Sequence, residues 1–222
     1  MRQSSIIDII SPVMIGPSSS HTAGAVRLGL LASHVYNSPI KKITFKLYNS
    51  YALTGKGHGT DKGLLAGVLG LSVDDTRIKN IFNSEIAKNI DYKFEFLEDF
   101  NRHPNAVDFI FEGDLNMEIS GESIGAGEVV IRKINEFSVK FTGKLNTLLL
   151  VYKDAPGMIS RVSTLIQNEN INIASLHCDR YAKGREASMC ICLDGELNED
   201  IIKKCETFND VYIVRYIKKL ES

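Results

Sequence analysis

Two short polar stretches hold the residues best suited to chemistry. The first, IGPSSSHTAG at residues 15–24, sets Ser18, Ser19, Ser20, His21 and Thr22 between glycines, just ahead of an apolar run. Amides at a helix start have no intrahelical partner and lie at the positive end of the helix dipole, so they attract carboxylates. The serine and threonine hydroxyls add donors, and His21 can change charge near neutral pH. The second stretch, TGKGHGTDKG at residues 54–63, reads as a glycine-rich connection. There Gly55, Gly57 and Gly59 let backbone approach a ligand, while Lys56, His58, Thr60 and Asp61 supply charge and hydrogen bonds. Each stretch also has a plain structural reading: a serine cap followed by an exposed histidine, and a flexible glycine linker. A small anionic substrate held beside a base explains both clusters together.

Other site chemistries lack their signatures. The second stretch is not a GxxxxGK[ST] phosphate loop, and no GxSxG elbow occurs for a serine hydrolase. GAGE at 125–128 runs into a strand, not the helix that a dinucleotide fold requires. With 222 residues and a net charge of −1, nothing points to nucleic acid or a membrane surface as a partner. The N-terminal MRQSSIIDII lacks the apolar core and cleavage site of a signal peptide, and no apolar run is long enough to span a bilayer. All four cysteines fall between Cys178 and Cys205 without CxxC spacing, which suits a reducing cytoplasm better than a disulfide framework. Cys190 and Cys192 share one strand face and read as small packing residues; no metal site is expected on this chain.

The elements that must position these clusters divide near FTGKLNT, at 141–147. In the first part a helix capped by Ser20 or Thr22 should run to about Tyr36, with Val26, Leu30 and Leu31 on its apolar face. KKITFKLY reads as a strand, IKNIFNSEIAKN as a helix, and YKFEFLE, AVDFIFEG, LNMEIS and VVIRKIN as further strands. Strands outnumber helices without strict alternation, so a mixed α+β domain is expected over 1–143. After the division, TLLLVY is a strand and a helix from Met158 to Glu169 turns Ile159, Val162, Leu165 and Ile166 inward. INIASLH and EASMCICL are strands joined at AKGR, NEDIIKKCETF is a helix capped by Asn198, and VYIVRYI closes the order. Strand, helix, strand, strand, helix, strand predicts a ferredoxin-like domain over 147–222.

SPVMIGPSSSHTAGAVRLG and TGKGHGTDKG together resemble the β chain of bacterial iron–sulfur L-serine dehydratases, and the similarity covers essentially the whole chain. The first part also resembles the allosteric substrate-binding domain of some phosphoglycerate dehydrogenases. DAPGMISRVSTLIQNENINIASLHCDR, at 154–180, resembles the signature of an ACT domain. The resemblance implies conversion of L-serine to pyruvate and ammonia without pyridoxal phosphate, a four-iron four-sulfur cluster polarising the substrate hydroxyl. In that family the cluster sits on the cysteines of a separate α chain. The first domain here has no cysteine, so it should supply substrate contacts and not cluster ligands. On this reading Ser18, Ser19, Ser20 and Thr22 bind substrate, Lys56, Thr60 and Asp61 complete the pocket, and His21 and His58 transfer protons. Asp154 and Asn172 match the positions where ACT domains bind a small amino acid between paired copies. The alternative is a stand-alone amino-acid-sensing module that binds through both domains and does no chemistry.

Overall fold

The structure, a computed structural model, describes residues 18–220; the beginning of SPVMIGPSSSHTAGAVRLG, residues 11–17, lies outside the described residues. The chain divides into two compact units between Ile131 and Arg132. In the first unit a π-helical turn at Ser19–Ala23 leads directly into α1 (Gly24–Tyr36). Strand β1 (Ile40–Tyr48) follows, then α2 (Asn49–His58) and α3 (Thr60–Val68). A 3-10 stretch at Thr76–Asn83 and the short α4 (Glu85–Lys88) precede β2 (Asp91–Leu97). Next come β3 (Ala106–Gly113), β4 (Met117–Gly125) and β5 (Glu128–Ile134), which runs across the division, and after the division β6 (Phe137–Phe141); the sheet order is β2-β1-β3-β4-β5-β6. β1 and β2 are parallel, as a crossover built from α2 and α3 requires, whereas β1, β3 and β4 pair antiparallel.

The core of this unit depends on how closely α1 and α3 approach. Ala25, Val26, Leu28, Leu31, Ala32 and Val35 are wholly buried on α1, as are Leu64, Leu65 and Ala66 on α3. A Cβ built on Gly67 would lie 2.8 Å from the Leu30 amide nitrogen and overlap the Val26 carbonyl oxygen, and one on Gly29 would crowd the backbone of Leu64 and Val68. Backbone cannot yield as a side-chain tip can, so these positions admit only hydrogen. On the sheet, Phe45 stacks on Phe94 with ring centroids 4.7 Å apart, and Tyr36 stacks on Phe111 at 4.4 Å.

In the second unit β7 (Asn146–Lys153), α5 (Met158–Asn168), β8 (Ile173–Arg180), β9 (Glu186–Leu193), α6 (Glu199–Glu206) and β10 (Val211–Ile217) form the βαββαβ order. Its sheet runs β10-β7-β9-β8 with every neighbour antiparallel. Leu148, Leu150, Met189 and Ile191 meet Met158, Val162, Ile166, Ile201 and Cys205 from the helices.

Several local expectations change. The glycine-rich segment is not a loop: Gly55 and Gly57 lie inside α2, and only Gly59 (φ 72°) breaks the helix, ending α2 and starting α3. The first helix is capped by Ser18, not by Ser20 or Thr22. IKNIFNSEIAKN yields a 3-10 stretch and one helical turn, with Asn80 outside helical geometry and Ser84 capping the turn. Leu30 is only half-buried. Ile159 is 48% exposed because Met158, Val162 and Ile166 define the inward stripe of α5 and leave it at the margin. Strand β6, with alternate residues buried, was not anticipated from the sequence pattern.

The helix crossing yields a paired prediction. Gly67→Ala should lower the stability of the chain by about 1–3 kcal/mol, the usual cost of overpacking against unyielding neighbours. Gly57→Ala, where an added Cβ meets nothing within 4 Å, should instead gain about 0.5–1 kcal/mol from reduced backbone freedom. Urea denaturation of the two variants measures both signs.

Candidate active site

Ser18 sets the geometry of the first motif. Its backbone is extended, and its Oγ accepts a hydrogen bond from the His21 amide at 3.2 Å, while its carbonyl accepts from the Thr22 amide at 2.8 Å. The Gly24 amide then bonds to the Ser19 carbonyl, the wide spacing of a π-helical turn. Such turns recur at functional sites because they displace one residue from the regular helix surface. The first-turn amides of Ser19 and Ser20 have no intrahelical acceptor, which makes this helix start a donor site for an anion.

Three neighbours hold the turn in place. The buried Tyr51 hydroxyl donates to the Ser20 carbonyl at 2.9 Å, and the buried Ser123 hydroxyl donates to the same oxygen at 3.0 Å. Burial pushes the Tyr51 phenol well above its ordinary pKa, so it remains a donor. The Thr22 hydroxyl donates to the His58 carbonyl at 2.7 Å and ties the start of the first helix to the end of α2. At the other end of α2, Asn49 (φ 51°) donates to the carbonyls of Asp99 and Arg102 at 2.8 and 3.2 Å. The loop it grips is anchored again where the Arg102 guanidinium stacks over the Tyr48 ring and pairs with buried Asp108.

His21 is the hub. Its Nε2 lies 3.0 Å from Thr54 Oγ1 and 3.3 Å from Ser50 Oγ, and its Nδ1 lies 3.5 Å from Ser18 Oγ. The His58 ring meets it edge-on with centroids 5.1 Å apart, and Tyr51 stands 5.3 Å away on a tilted face. Burial, and then the neighbouring charge of His58, lower the His21 pKa from its ordinary 6.5. A neutral imidazole held among hydroxyls beside helix-start amides has the chemistry of a proton acceptor.

The other expected site residues are distributed unevenly around this hub. Ser18, Ser19 and Ser20 are half-buried beside it, and His58 is exposed. Thr22 and Thr60 are buried. Thr22 acts as a tie to His58, while Thr60 packs against Gly55, its Oγ1 without a hydrogen-bond partner. Lys56 is exposed, with its ammonium 4.9 Å from the centre of the Phe96 ring. The Asp61 carboxyl is largely buried; desolvation raises its pKa against the opposing pull of the Lys62 amide and the Lys62 and Lys56 charges. Ser50, Tyr51, Thr54 and Ser123 were not anticipated. Ser50 and Thr54 become legible once NSYALT is read as helix, because they are then one turn apart on one face.

In the second unit, Asp154 accepts a hydrogen bond from the Gly184 amide at 3.0 Å and pairs with Arg180 at 3.5 Å. The Asn172 amide donates to Asp194 at 2.6 Å. β7 and β8 both run antiparallel to β9, so Asp154, after the last residue of β7, and Asn172, before the first of β8, lie at opposite ends of the sheet. Backbone bonds from Asp154 to Arg185 and from Asp194 to Asn172 set them nine register steps apart along β9, roughly 30 Å at about 3.3 Å per residue within one chain.

Comparison with known proteins shows the family of the chain. A family profile described as serine dehydratase beta chain matches residues 5–118. The L-serine dehydratase beta chain of Peptoniphilus asaccharolyticus is 37% identical over 207 residues, covering 90% of this chain and 92% of that protein. This chain belongs to the serine dehydratase beta-chain family. Another member, named as a probable L-serine dehydratase beta chain in Bacillus subtilis (strain 168), is 34% identical over 98% of this chain and 99% of its own length. Residues 148–213 match an AHAS small subunit-like ACT domain, so the βαββαβ unit is an ACT domain. D-3-phosphoglycerate dehydrogenase of the same Bacillus is 25% identical over 87% of this chain and 37% of its own length. No described helix is long and apolar enough to cross a membrane.

An iron–sulfur cluster is held by several thiolates together. Among the described residues no group of three or more His, Cys, Asp or Glu side chains could hold a metal ion. The cysteines all lie in the ACT unit, and three of the four are buried. This donor set does not fit a cluster.

The histidine pair yields a pH prediction. The folded-state pKa of His21 lies below 6.5, so the unfolded chain takes up the proton first; the stability contributed by neutral His21 is present above about pH 6.5 and lost as pH falls through the folded value. His58→Ala removes the second cause and should move the His21 pKa upward. A proton NMR titration of the imidazole resonances in both proteins checks the direction.

Proposed function

We propose that this chain is the β subunit of a heteromeric iron–sulfur L-serine ammonia-lyase, converting L-serine to pyruvate and ammonia in the cytoplasm. The observation that carries this reading is His21, lodged among three hydroxyls and against His58 at the mouth of a helix start. The substrate carboxylate takes the first-turn amides and the hydroxyls of Ser18, Ser19 and Ser20. That binding orients the α-carbon toward the imidazoles, and His21 and His58 accept the α-proton and pass protons onward. Thr22 and Thr60 serve the pocket from beneath, Thr22 through its bond to the His58 carbonyl. Asp61 and Lys56 set the charge at its edge. The four-iron four-sulfur cluster belongs to thiolates of a separate α chain, so the β subunit has no activity alone. The functional division is a substrate-binding part over 1–143 and an ACT part over 147–222.

The ACT part responds to a small amino acid. Because Asp154 and Asn172 stand at opposite ends of one sheet, a ligand that uses both must lie between two copies. β8 is an edge strand, and two β8 edges paired antiparallel would bring Asn172 of one copy toward the Asp154 end of the other.

Mixing the chain with an α chain under anaerobic conditions should produce pyruvate from L-serine, and neither chain alone should do so. His21→Ala and His58→Ala should each reduce kcat by about a hundredfold or more, the usual size of a general acid–base contribution. Near-normal turnover in both variants would assign proton transfer to the partner. Asp154→Ala and Asn172→Ala should weaken amino-acid binding to the full chain in calorimetry while leaving kcat close to wild type.

A further inference from the structure

The hydroxyl protons around His21 can be assigned from their acceptors. A threonine hydroxyl carries one proton. Thr54 Oγ1 lies 2.8 Å from the Ser50 carbonyl, the bond that a helical threonine makes one turn back along its own helix. With its proton committed there, Thr54 Oγ1 presents only lone pairs to His21 Nε2 at 3.0 Å. Two lone pairs facing one another at that distance repel, whereas an Nε2–H pointing at the oxygen forms a well-placed hydrogen bond. Ser50 Oγ, at 3.3 Å, can share the same proton. On the other side of the ring, Ser18 Oγ already accepts the His21 amide proton at 3.2 Å. The hydroxyl proton of Ser18 is thereby available to the Nδ1 lone pair 3.5 Å away.

We infer that Thr54 holds His21 as the Nε2–H tautomer, so that Nδ1, beside Ser18 Oγ, is the atom that takes up the substrate proton. This rests on the assignment of His21 to proton transfer. The α-carbon–hydrogen bond breaks, its electron pair stays with the substrate, and the proton goes to Nδ1. The resulting imidazolium keeps its Nε2–H donated to Thr54, which stabilises the charge where it forms. Thr54 is accordingly a positioning residue that acts through His21. His58 and Tyr51 are the other ring systems against the imidazole, and neither is hydrogen-bonded to its nitrogens.

The test combines nitrogen NMR with kinetics. In the full chain carrying ring-labelled histidine, at a pH above 6.5, the His21 signals should show a protonated Nε2 and an unprotonated Nδ1. Thr54→Val, which keeps the shape and removes the acceptor, should shift the population toward Nδ1–H, with Ser50 donating to Nε2; Thr54→Ser should retain the wild-type pattern. Unchanged signals from the other histidines report that the fold is intact. With the α chain, Thr54→Val should lower kcat about tenfold, the worth of one hydrogen bond, with KM nearly unchanged, and Thr54→Ser should restore it. An Nδ1–H tautomer in the wild-type chain, or an unaltered tautomer in Thr54→Val, overturns the inference. A shifted tautomer with unchanged kcat overturns the role given to Nδ1. Full turnover in His21→Ala would instead remove the underlying assignment, while the NMR result still reports the tautomer independently.

Discussion

The crossing of α1 and α3 is the contact on which the candidate site depends. Gly29 and Gly67 let the two helix backbones come closer than any side chain would permit, and α3 follows α2 with only Gly59 between them. The crossing therefore fixes where α2 ends relative to the first motif. The Thr22 hydroxyl, reaching the His58 carbonyl across 36 residues of sequence, completes the alignment. Without that approach the two histidine segments would remain two decorated caps. With it, they form one cluster in which the His58 charge bears on the protonation of His21.

Order is concentrated beneath the candidate site. Ser20 contributes a carbonyl that receives two buried hydroxyls, so the position of the turn is doubly fixed. Asn49 and the Tyr48, Arg102 and Asp108 group hold the start of α2 in the same way. Desolvation and hydrogen bonding act in opposite directions on Asp108: burial raises its pKa, and bonds from Arg102, Ser120 and Tyr48 bring it below the ordinary carboxylate value. This support allows the exposed or half-buried groups, Ser18, His21 and His58, to keep a defined geometry beside solvent.

Much of the second unit was legible in the sequence, because its strand and helix periods are regular and Asn198 caps its helix as its residue type suggests. That the two polar motifs belong together was legible as well, since both pair a histidine with hydroxyls, and His21 and His58 do meet. The path of α2 was not. Gly55 and Gly57 read as linker, yet Gly55 is buried against Thr60 within a helix that tertiary contacts stabilise. That error concealed Ser50 and Thr54, whose relation to His21 exists only at helical spacing. Lys56, Thr22 and Thr60 were recognised by type, but type alone does not reveal which hydroxyls are already engaged in packing or backbone ties. The opposite placement of Asp154 and Asn172 follows from strand register, which single-strand patterns do not specify.

The most direct measurement is the structure of the assembled α and β chains with L-serine or an unreactive analogue bound. The account predicts the ligand carboxylate at the amides of Ser19 and Ser20, with its α-carbon within reach of His21 and close to His58. A ligand held by the partner alone, with His21 remote from the α-carbon, would contradict it.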